Sequence, residues 1–271
     1  MKKYDISDKY YEKVAAHFDQ DARLFEERYN ENPVLQKIRS EFRKYTEEHG
    51  FEKALEIGSG PGMDLVYFAE KYPQKNFYGI DVSPEMARIA NANLKAKGLN
   101  NAIAKTGSVE DLTALFPGEK FDMIYIYFGG LNTVFDLKKV VKKLHEVSAP
   151  GAAMVFTCVN RYYLMDFFFK SLKLKFGQAT SRFRNRWKGY SPGRDLPSRV
   201  YSSSFVKMSF QPEFEIIYKR GYSIFFPPWF GARHLKKIKR LGNMLWETDR
   251  LLQNTPMWNA GEYSLYVMKR N

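Results

Sequence analysis

The 271-residue sequence predicts an α/β fold built on a mainly parallel sheet. Three observations predict it. Short apolar runs alternate with longer amphipathic ones through the middle of the chain, a glycine cluster follows the first apolar run, and proline or glycine marks the boundaries between runs. The length exceeds that of a common single domain, yet single α/β domains with insertions reach it.

Taken in order, Lys9–His49 reads as two helices ahead of the sheet. Strands are expected at Lys53–Gly58, Asn76–Asp81, Ala102–Thr106, Phe121–Tyr127 and Ala152–Val159. Helices fall between them at Met63–Tyr72, Pro84–Lys97, Val109–Phe116 and Asp136–Val147. Pro84 sits just inside a helix start, Gly98 follows a helix end, and the Pro150-Gly151 turn feeds the fifth strand. The rhythm then breaks into an aromatic and basic stretch ahead of a short helix at Ser202–Phe210. Alternation returns in Phe214–Phe226 and in Glu262–Lys269, with a second insertion between them. The boundaries divide the chain into an N-terminal helical cap (1–50), a core (51–159), a basic and aromatic insertion (160–200) and a completion of the core (201–271) that carries the second insertion at 226–258.

The strand Lys53–Ile57 runs into Gly58-Ser59-Gly60-Pro61-Gly62 and then a helix, so backbone N–H groups at a helix N-terminus lie open to a ligand. The dinucleotide fingerprint requires G-x-G-x-x-G, whereas this loop reads G-x-G-x-G with Met63 in the third glycine's place. That spacing favours S-adenosylmethionine (SAM) over NAD. SAM presents an amino group at one end and a ribose diol in the middle, and two carboxylates suit them. Glu56 closes the first strand, where it can accept from the amino group, and Asp81 closes the second, where it can take both ribose hydroxyls. Either acid alone could merely cap a strand; the pair flanking a glycine loop points to a ligand. After the third strand, Ser108 or Val109 is placed to meet the adenine edge.

These residues resemble the successive motifs of class I SAM-dependent methyltransferases: ALEIGSGPGMD (Ala54–Asp64), GIDVSPEM (Gly79–Met86), TGSVEDL (Thr106–Leu112), FDMIYIYFGGLN (Phe121–Asn132) and APGAAMVF (Ala149–Phe156). AAHFDQDARLFEERYN is similar to the helix that small-molecule members fold over the cofactor. NRYYLMDFF, FFPPW and GEYSLYVMKR are similar to a bacterial subgroup whose acceptors are largely unassigned. The resemblance implies a Rossmann-like seven-stranded sheet in the order 3-2-1-4-5-7-6, the last strand antiparallel, with helical insertions. It implies that the cofactor is SAM, the product S-adenosylhomocysteine (SAH), and that Glu56, Gly58, Ser59, Gly60, Gly62, Asp81, Val82, Ser108 and Val109 surround it. Tyr127 and Phe128 open the loop expected beneath the methyl group. Family members often carry Asp where Ser108 stands.

Methyl transfer from a sulfonium is an in-line displacement on an activated carbon, so alignment and exclusion of water matter most. A base is needed only when the acceptor arrives protonated. His17, Tyr11 and Asn132, with Tyr10, are the expected acceptor-side residues; a partly buried helix histidine is the competing account of His17. His49, His145 and His234 read as surface residues. The Asn/Asp-Pro-Pro-Tyr/Phe element of amino methyltransferases is replaced here by Tyr127-Phe128-Gly129-Gly130-Leu131-Asn132. Thr157-Cys158 lacks the Pro-Cys step that accompanies a cysteine nucleophile, so Cys158 reads as a small strand residue.

Composition bounds the partners. One cysteine excludes an intramolecular disulfide and a cysteine-rich metal site, no metal is assigned, and a reducing, cytoplasmic setting is expected. MKKYDISDKYYEKV has a basic start but no apolar stretch behind it, so neither a signal peptide nor a membrane span is expected. The net charge is +13, yet Met1–Val159 carries −1, Asn160–Val200 +8 and Phe226–Trp258 +4. Both insertions should leave the carboxyl ends of strands, where ligands bind. The basic segments are therefore expected to roof an acceptor pocket and select a small, anionic, partly apolar molecule such as a lipid-linked, isoprenoid or polyketide acid. Tyr162–Phe176 and His234–Trp246 set Leu, Met, Phe, Ile and Trp beside lysines, so peripheral contact with an anionic membrane is a second role to weigh. An ordinary lid helix with its apolar side on the core is the simpler one. Arg182, Arg184, Arg186 and Trp187 raise RNA binding as a rival; without an added RNA-binding domain a nucleic-acid partner is not expected. A dehydrogenase and a non-catalytic SAM-binding protein are the remaining alternatives.

Overall fold

A computed structural model describes residues 6–184, 196–231 and 239–271. Its sheet runs β3-β2-β1-β4-β5-β7-β6. The strands are β1 (Lys53–Ile57), β2 (Asn76–Asp81), β3 (Ala102–Thr106), β4 (Phe121–Ile126), β5 (Ser148–Val159), β6 (Phe214–Tyr222) and β7 (Tyr263–Arg270). β1 to β5 pair in parallel, and β7 lies antiparallel between β5 and β6. The expected order and the expected antiparallel strand are both present.

Ten α-helices lie among the described residues: α1 (Ile6–Asn30), α2 (Pro33–Glu47), α3 (Met63–Lys71), α4 (Pro84–Ala96), α5 (Leu112–Leu115), α6 (Leu137–Val147), α7 (Leu164–Leu172), α8 (Phe176–Ala179), α9 (Ser203–Phe210) and α10 (Lys239–Leu251). Their starts follow from short polar side chains that satisfy first-turn N–H groups. Asn32 accepts from Val34 and Leu35 N–H, Ser83 from Met86, and Asp136 from Lys138 and Lys139, with Pro33 and Pro84 opening two of the helices. Strand alternation then divides the core. Leu55, Ile57 and Ile124 face a layer that includes α6 and α9, while Ala54, Met123 and Tyr125 face one that includes α2, α3 and α4.

Three local expectations are corrected. β5 begins at Ser148, which pairs with Phe121 before an irregularity carries Met123 to Ala153, so the Pro150-Gly151 turn is a bulge within the strand. The helix expected at Val109–Phe116 is a 3₁₀ turn at Val109–Asp111 followed by α5. β6 ends at Tyr222 rather than Phe226 because the Asp249 carboxylate of α10 accepts from Ile224, Phe225 and Phe226 N–H (2.9, 2.7 and 3.3 Å) and pulls the chain off the sheet. Among the described residues no helix is long and apolar enough to cross a membrane.

Candidate functional site

The carboxyl edge of β1 to β4 opens into a cavity of about 280 Å³. Its floor is the β1–α3 loop. Gly58 and Gly60 take left-handed φ angles of 71° and 52°, conformations costly for residues with a Cβ. Gly58 and Ser59 N–H donate to Ile80 O (2.8 and 3.0 Å), which fastens the loop to β2. A Cβ added at Gly58 would meet nothing within 4 Å, and one at Gly60 only Phe25 Cε1 at 4.0 Å. Both glycines line the cavity, so the space beside their backbone is open to a ligand.

Asp81 lies across that loop. Its Oδ2 accepts from Gly60 N–H (2.8 Å) and its Oδ1 from Ser83 N–H (2.9 Å). Burial raises its carboxyl from the ordinary value to about 6 against the pull of those two donors. Each oxygen keeps acceptor capacity on the cavity side, with Val82 beside it in the wall. Gly62 stands apart from the expected ligand set. It lines no part of the cavity; at φ 81° a Cβ there would come 2.8 Å from Ala90 Cβ, so its smallness lets α3 approach α4.

A small cleft joins the cavity at Gly58 and Phe128 and holds Glu56, Ser59, Arg39 and Asp64. Glu56 Oε2 accepts from Tyr125 Oη (3.3 Å). Burial, helped by Asp64, pushes its carboxyl well above the usual range, so a cation there would be welcome. Arg39 Nη1 lies 3.3 Å from Asp64 Oδ2, and Arg43 Nε donates to Asp64 Oδ1 at 2.6 Å. Arg39 Nε and Nη1 and Ser59 Oγ are buried without a hydrogen bond. Sequence reasoning missed Arg39, Asp64 and Tyr125. Arg39 and Arg43 lie one turn apart on α2, a spacing indistinguishable from a solvated helix face.

The far wall comes from the ends of β4 and β3. The Tyr127 hydroxyl bonds Thr46 Oγ1 (2.6 Å) and donates to Phe42 O (3.2 Å), so its ring and not its hydroxyl serves the cavity. Phe128 is left-handed at φ 51° and stands edge-on to Tyr29 and Tyr263, with ring centroids 5.4 and 5.9 Å apart. Ser108 and Val109 line the cavity. Ser108 N–H and Oγ–H both donate to Asp111 Oδ2 (2.9 and 2.7 Å), which leaves Ser108 Oγ as an acceptor.

Asn132 is the clear correction among the expected acceptor-side residues. It is fully buried and outside the cavity lining. Its Nδ2 donates to Val159 O (3.2 Å) and Arg199 O (2.6 Å), and its Oδ1 accepts from Val159 N–H (2.9 Å). Those bonds commit it to stapling β5 to the chain before α9. Tyr10 also turns away, donating to Pro197 O at 2.9 Å.

α1 forms the roof. Tyr11, Val14, Phe18, Asp21, Phe25 and Arg28, spaced three or four apart along one face, line the cavity together with His17. Tyr11 Oη donates to Glu110 Oε1 and accepts from Phe135 N–H (3.3 Å each). Burial pushes its pKa far up, so it is a neutral donor and not a base. His17 is buried, edge-on to Phe18 at 5.3 Å. His49 and His145 are half-buried away from the cavity, and His234 lies outside the described residues. Cys158 is buried in β5 with its thiol pushed up by burial, as a strand residue should be.

The two insertions leave the expected edge, and among the described residues what they contribute to the lining is apolar: Leu196 from the first and Trp229 from the second. Among the described residues the lining's cation is Arg28, paired with Asp21 at 2.6 Å, so the expected basic roof is not formed by them. Arg182 is buried against Asp166 (3.6 Å) and Glu262 (3.8 Å) and offers no stacking face to RNA. Arg186, Trp187, Lys236 and Lys237 lie outside the described residues.

A ligand bearing a diol and an amino-acid end fits these groups. Asp81 has acceptor sites for the diol, the buried Glu56 carboxyl would be drawn to its ionised form by a cation, and Arg39, ion-paired with Asp64, still has Nε and Nη1 without a hydrogen bond. Comparisons with known proteins agree. The family profile for a methyltransferase domain matches residues 48–190. The demethylmenaquinone methyltransferase of Geobacillus stearothermophilus is 28% identical over 216 residues, 74% of this chain and 89% of that protein. The tRNA (guanine-N(7)-)-methyltransferase of Mycoplasmopsis pulmonis is 42% identical over 74 residues, only 27% of this chain and 36% of its own. Among solved structures, the cyclase SpnF shares the fold with a TM-score of 0.64 at 15% identity over 96% of each chain.

Proposed function

The chain belongs to the methyltransferase-domain family and is a SAM-dependent methyltransferase; from that premise we propose that its acceptor is a small, largely apolar molecule held between α1 and the glycine loop. The observation that carries this reading is the cavity wall, where Phe18, Phe25, Tyr29, Phe128, Trp229 and Tyr263 gather around one internally paired Asp21–Arg28 couple. Such a wall rewards flat or branched apolar groups and penalises unpaired charge. Of the acceptor expected from the insertions, the described lining favours the apolar character. Similarity to demethylmenaquinone methyltransferases over most of the chain supports the same choice.

SAM, when bound, supplies a methyl group already activated for in-line displacement. The chain's own groups then have three tasks. Asp81 grips the diol, with Gly60 and Ser83 N–H fixing its orientation. Glu56 and Arg39 take the two charges of the amino-acid end, while Ser108 and Val109 border the base. Val14, Phe18 and Phe25 of α1 close over the reacting centre and exclude water. When the acceptor is a hydroxyl, His17 is the lining imidazole that can take its proton, while Tyr11, its hydroxyl engaged by Glu110 and Phe135, shapes the wall. In this reading residues 1–50 act as cap, 51–159 as cofactor core, and 160–200 with 226–258 as walls beside the acceptor.

The experiment is methyl transfer from isotopically labelled SAM to a panel holding demethylmenaquinone, neutral aromatic alcohols and their carboxylated analogues. Labelled product from the neutral compounds, and at least tenfold less from the charged ones, is expected. Preference for the carboxylated members would overturn the apolar reading.

A further inference from the structure

The first insertion carries a helix mounted the wrong way round. A surface helix of a water-soluble domain turns its apolar side inward. In α7 none of the nine residues is buried. Leu164, Phe168 and Leu172, at positions i, i+4 and i+8, form an outward stripe that is 44%, 54% and 65% exposed. Its polar residues point the other way. Asp166 bonds Lys170 Nζ at 2.7 Å and faces Arg182, which reaches the fully buried Glu262. Phe167 is held against Phe183, with ring centroids 5.4 Å apart, and Leu164 N–H donates to Ala260 O at 3.1 Å. The helix is thus fastened to the body by its polar side, with its apolar side facing solvent.

We propose that this face docks on the surface of an anionic lipid bilayer. Charge chooses that occupant. Immediately after α7 come Lys173, Leu174, Lys175 and Phe176, all exposed, so cations and apolar groups share one surface. Residues 160–200 carry a net charge of +8. Leu and Phe side chains sink into the boundary between headgroups and acyl chains, while lysines reach back to lipid phosphates. An acidic protein partner would satisfy the lysines but would leave the aliphatic and aromatic stripe to a pocket of its own. The docking face also lies beside the site. α7 starts five residues after Val159, whose β7 partner Tyr263 lines the cavity. The inference goes beyond the acceptor assignment and stands whatever that molecule is.

The test is flotation of the full chain with vesicles of equal parts phosphatidylcholine and phosphatidylglycerol, against pure phosphatidylcholine, at low and high salt. Wild-type protein should float with the anionic vesicles at low salt, at least tenfold less with the neutral ones, and less as salt rises. Lys173→Gln with Lys175→Gln should weaken binding roughly 25-fold, about fivefold for each charge lost. Phe168→Ser with Leu172→Ser should abolish flotation while binding SAH as the wild type does, which shows that the fold and the methyltransferase site survive. Absence of flotation at low salt, equal binding to neutral vesicles, or an unaffected Phe168→Ser/Leu172→Ser variant would overturn the proposal. So would a dimer that this variant splits into monomers, because the stripe would then be a contact between copies.

Discussion

Asp81 holds two backbone N–H groups in place and still faces the cavity, a combination that ties cofactor affinity to its protonation state. Burial raises its pKa from 3.8 to about 6, so in the ligand-free protein ionisation costs stability as pH rises from about 4 to 6. A diol donating to the carboxylate favours the ionised form. SAH affinity should therefore fall as pH drops below about 6, by up to roughly tenfold per unit for Asp81 alone, with Glu56, whose carboxyl burial also raises, adding to the loss, in calorimetric titrations. A pH-independent affinity between 5 and 7.5 would count against Asp81 as the diol's partner. Arg39 makes a separable contribution. Arg39→Met should weaken SAH by about 1.5–3 kcal/mol, the worth of a charge-assisted bond, but leave adenosine, which lacks the amino-acid end, bound within about twofold. The place of Asp81 beside the glycine loop was legible in the sequence because it ends a strand one βα unit after that loop. Arg39 was not, since its partners Asp64 and Tyr29 come together only through the packing of α2 on the sheet edge.

At the scale of elements, two residues taken for ligand or acceptor contacts hold strands and helices together. Gly62→Ala would place a Cβ 2.8 Å from Ala90 Cβ in a left-handed backbone, and α3 and α4 cannot separate without disturbing β2. A loss of about 2–4 kcal/mol is expected, read as a lower denaturant midpoint, with SAH affinity of the folded fraction unchanged. Asn132→Ala removes three hydrogen bonds, two to the buried Val159 backbone and one to Arg199 O, and should cost about 2–4 kcal/mol. Its single-turnover methyl-transfer rate, measured where the variant is folded, should stay within about threefold of wild type; a larger drop would restore Asn132 to the reacting centre. No sequence pattern separates an asparagine that staples a strand end from one that waits for a substrate. β5 shows the same limit, because Pro150-Gly151 marks a bulge inside the strand as readily as a turn before it.

For the whole molecule, strand order, the antiparallel last strand and the carboxyl-edge site were all legible, because each rests on βα periodicity or on motifs that keep their order along the chain. The character of the acceptor pocket was not. Counting charge along the insertions predicted a basic roof, yet folding turns Arg182 inward to Asp166 and Glu262, while Leu196 and Trp229 reach the cavity. Among the described residues, linear charge density therefore did not foretell which side chains of the insertions reach the lining. Cofactor binding rests on one arrangement, a glycine loop that leaves its backbone open beside a carboxylate on the next strand. Its most direct test is calorimetric titration of SAH into folded, ligand-free protein and into Asp81→Asn. One saturable site is predicted for the wild type, with affinity lowered about 30-fold or more in the variant, the loss of roughly 2 kcal/mol of charged hydrogen bonding. No heat of binding in the wild type, or equal affinity in the two proteins, would contradict it.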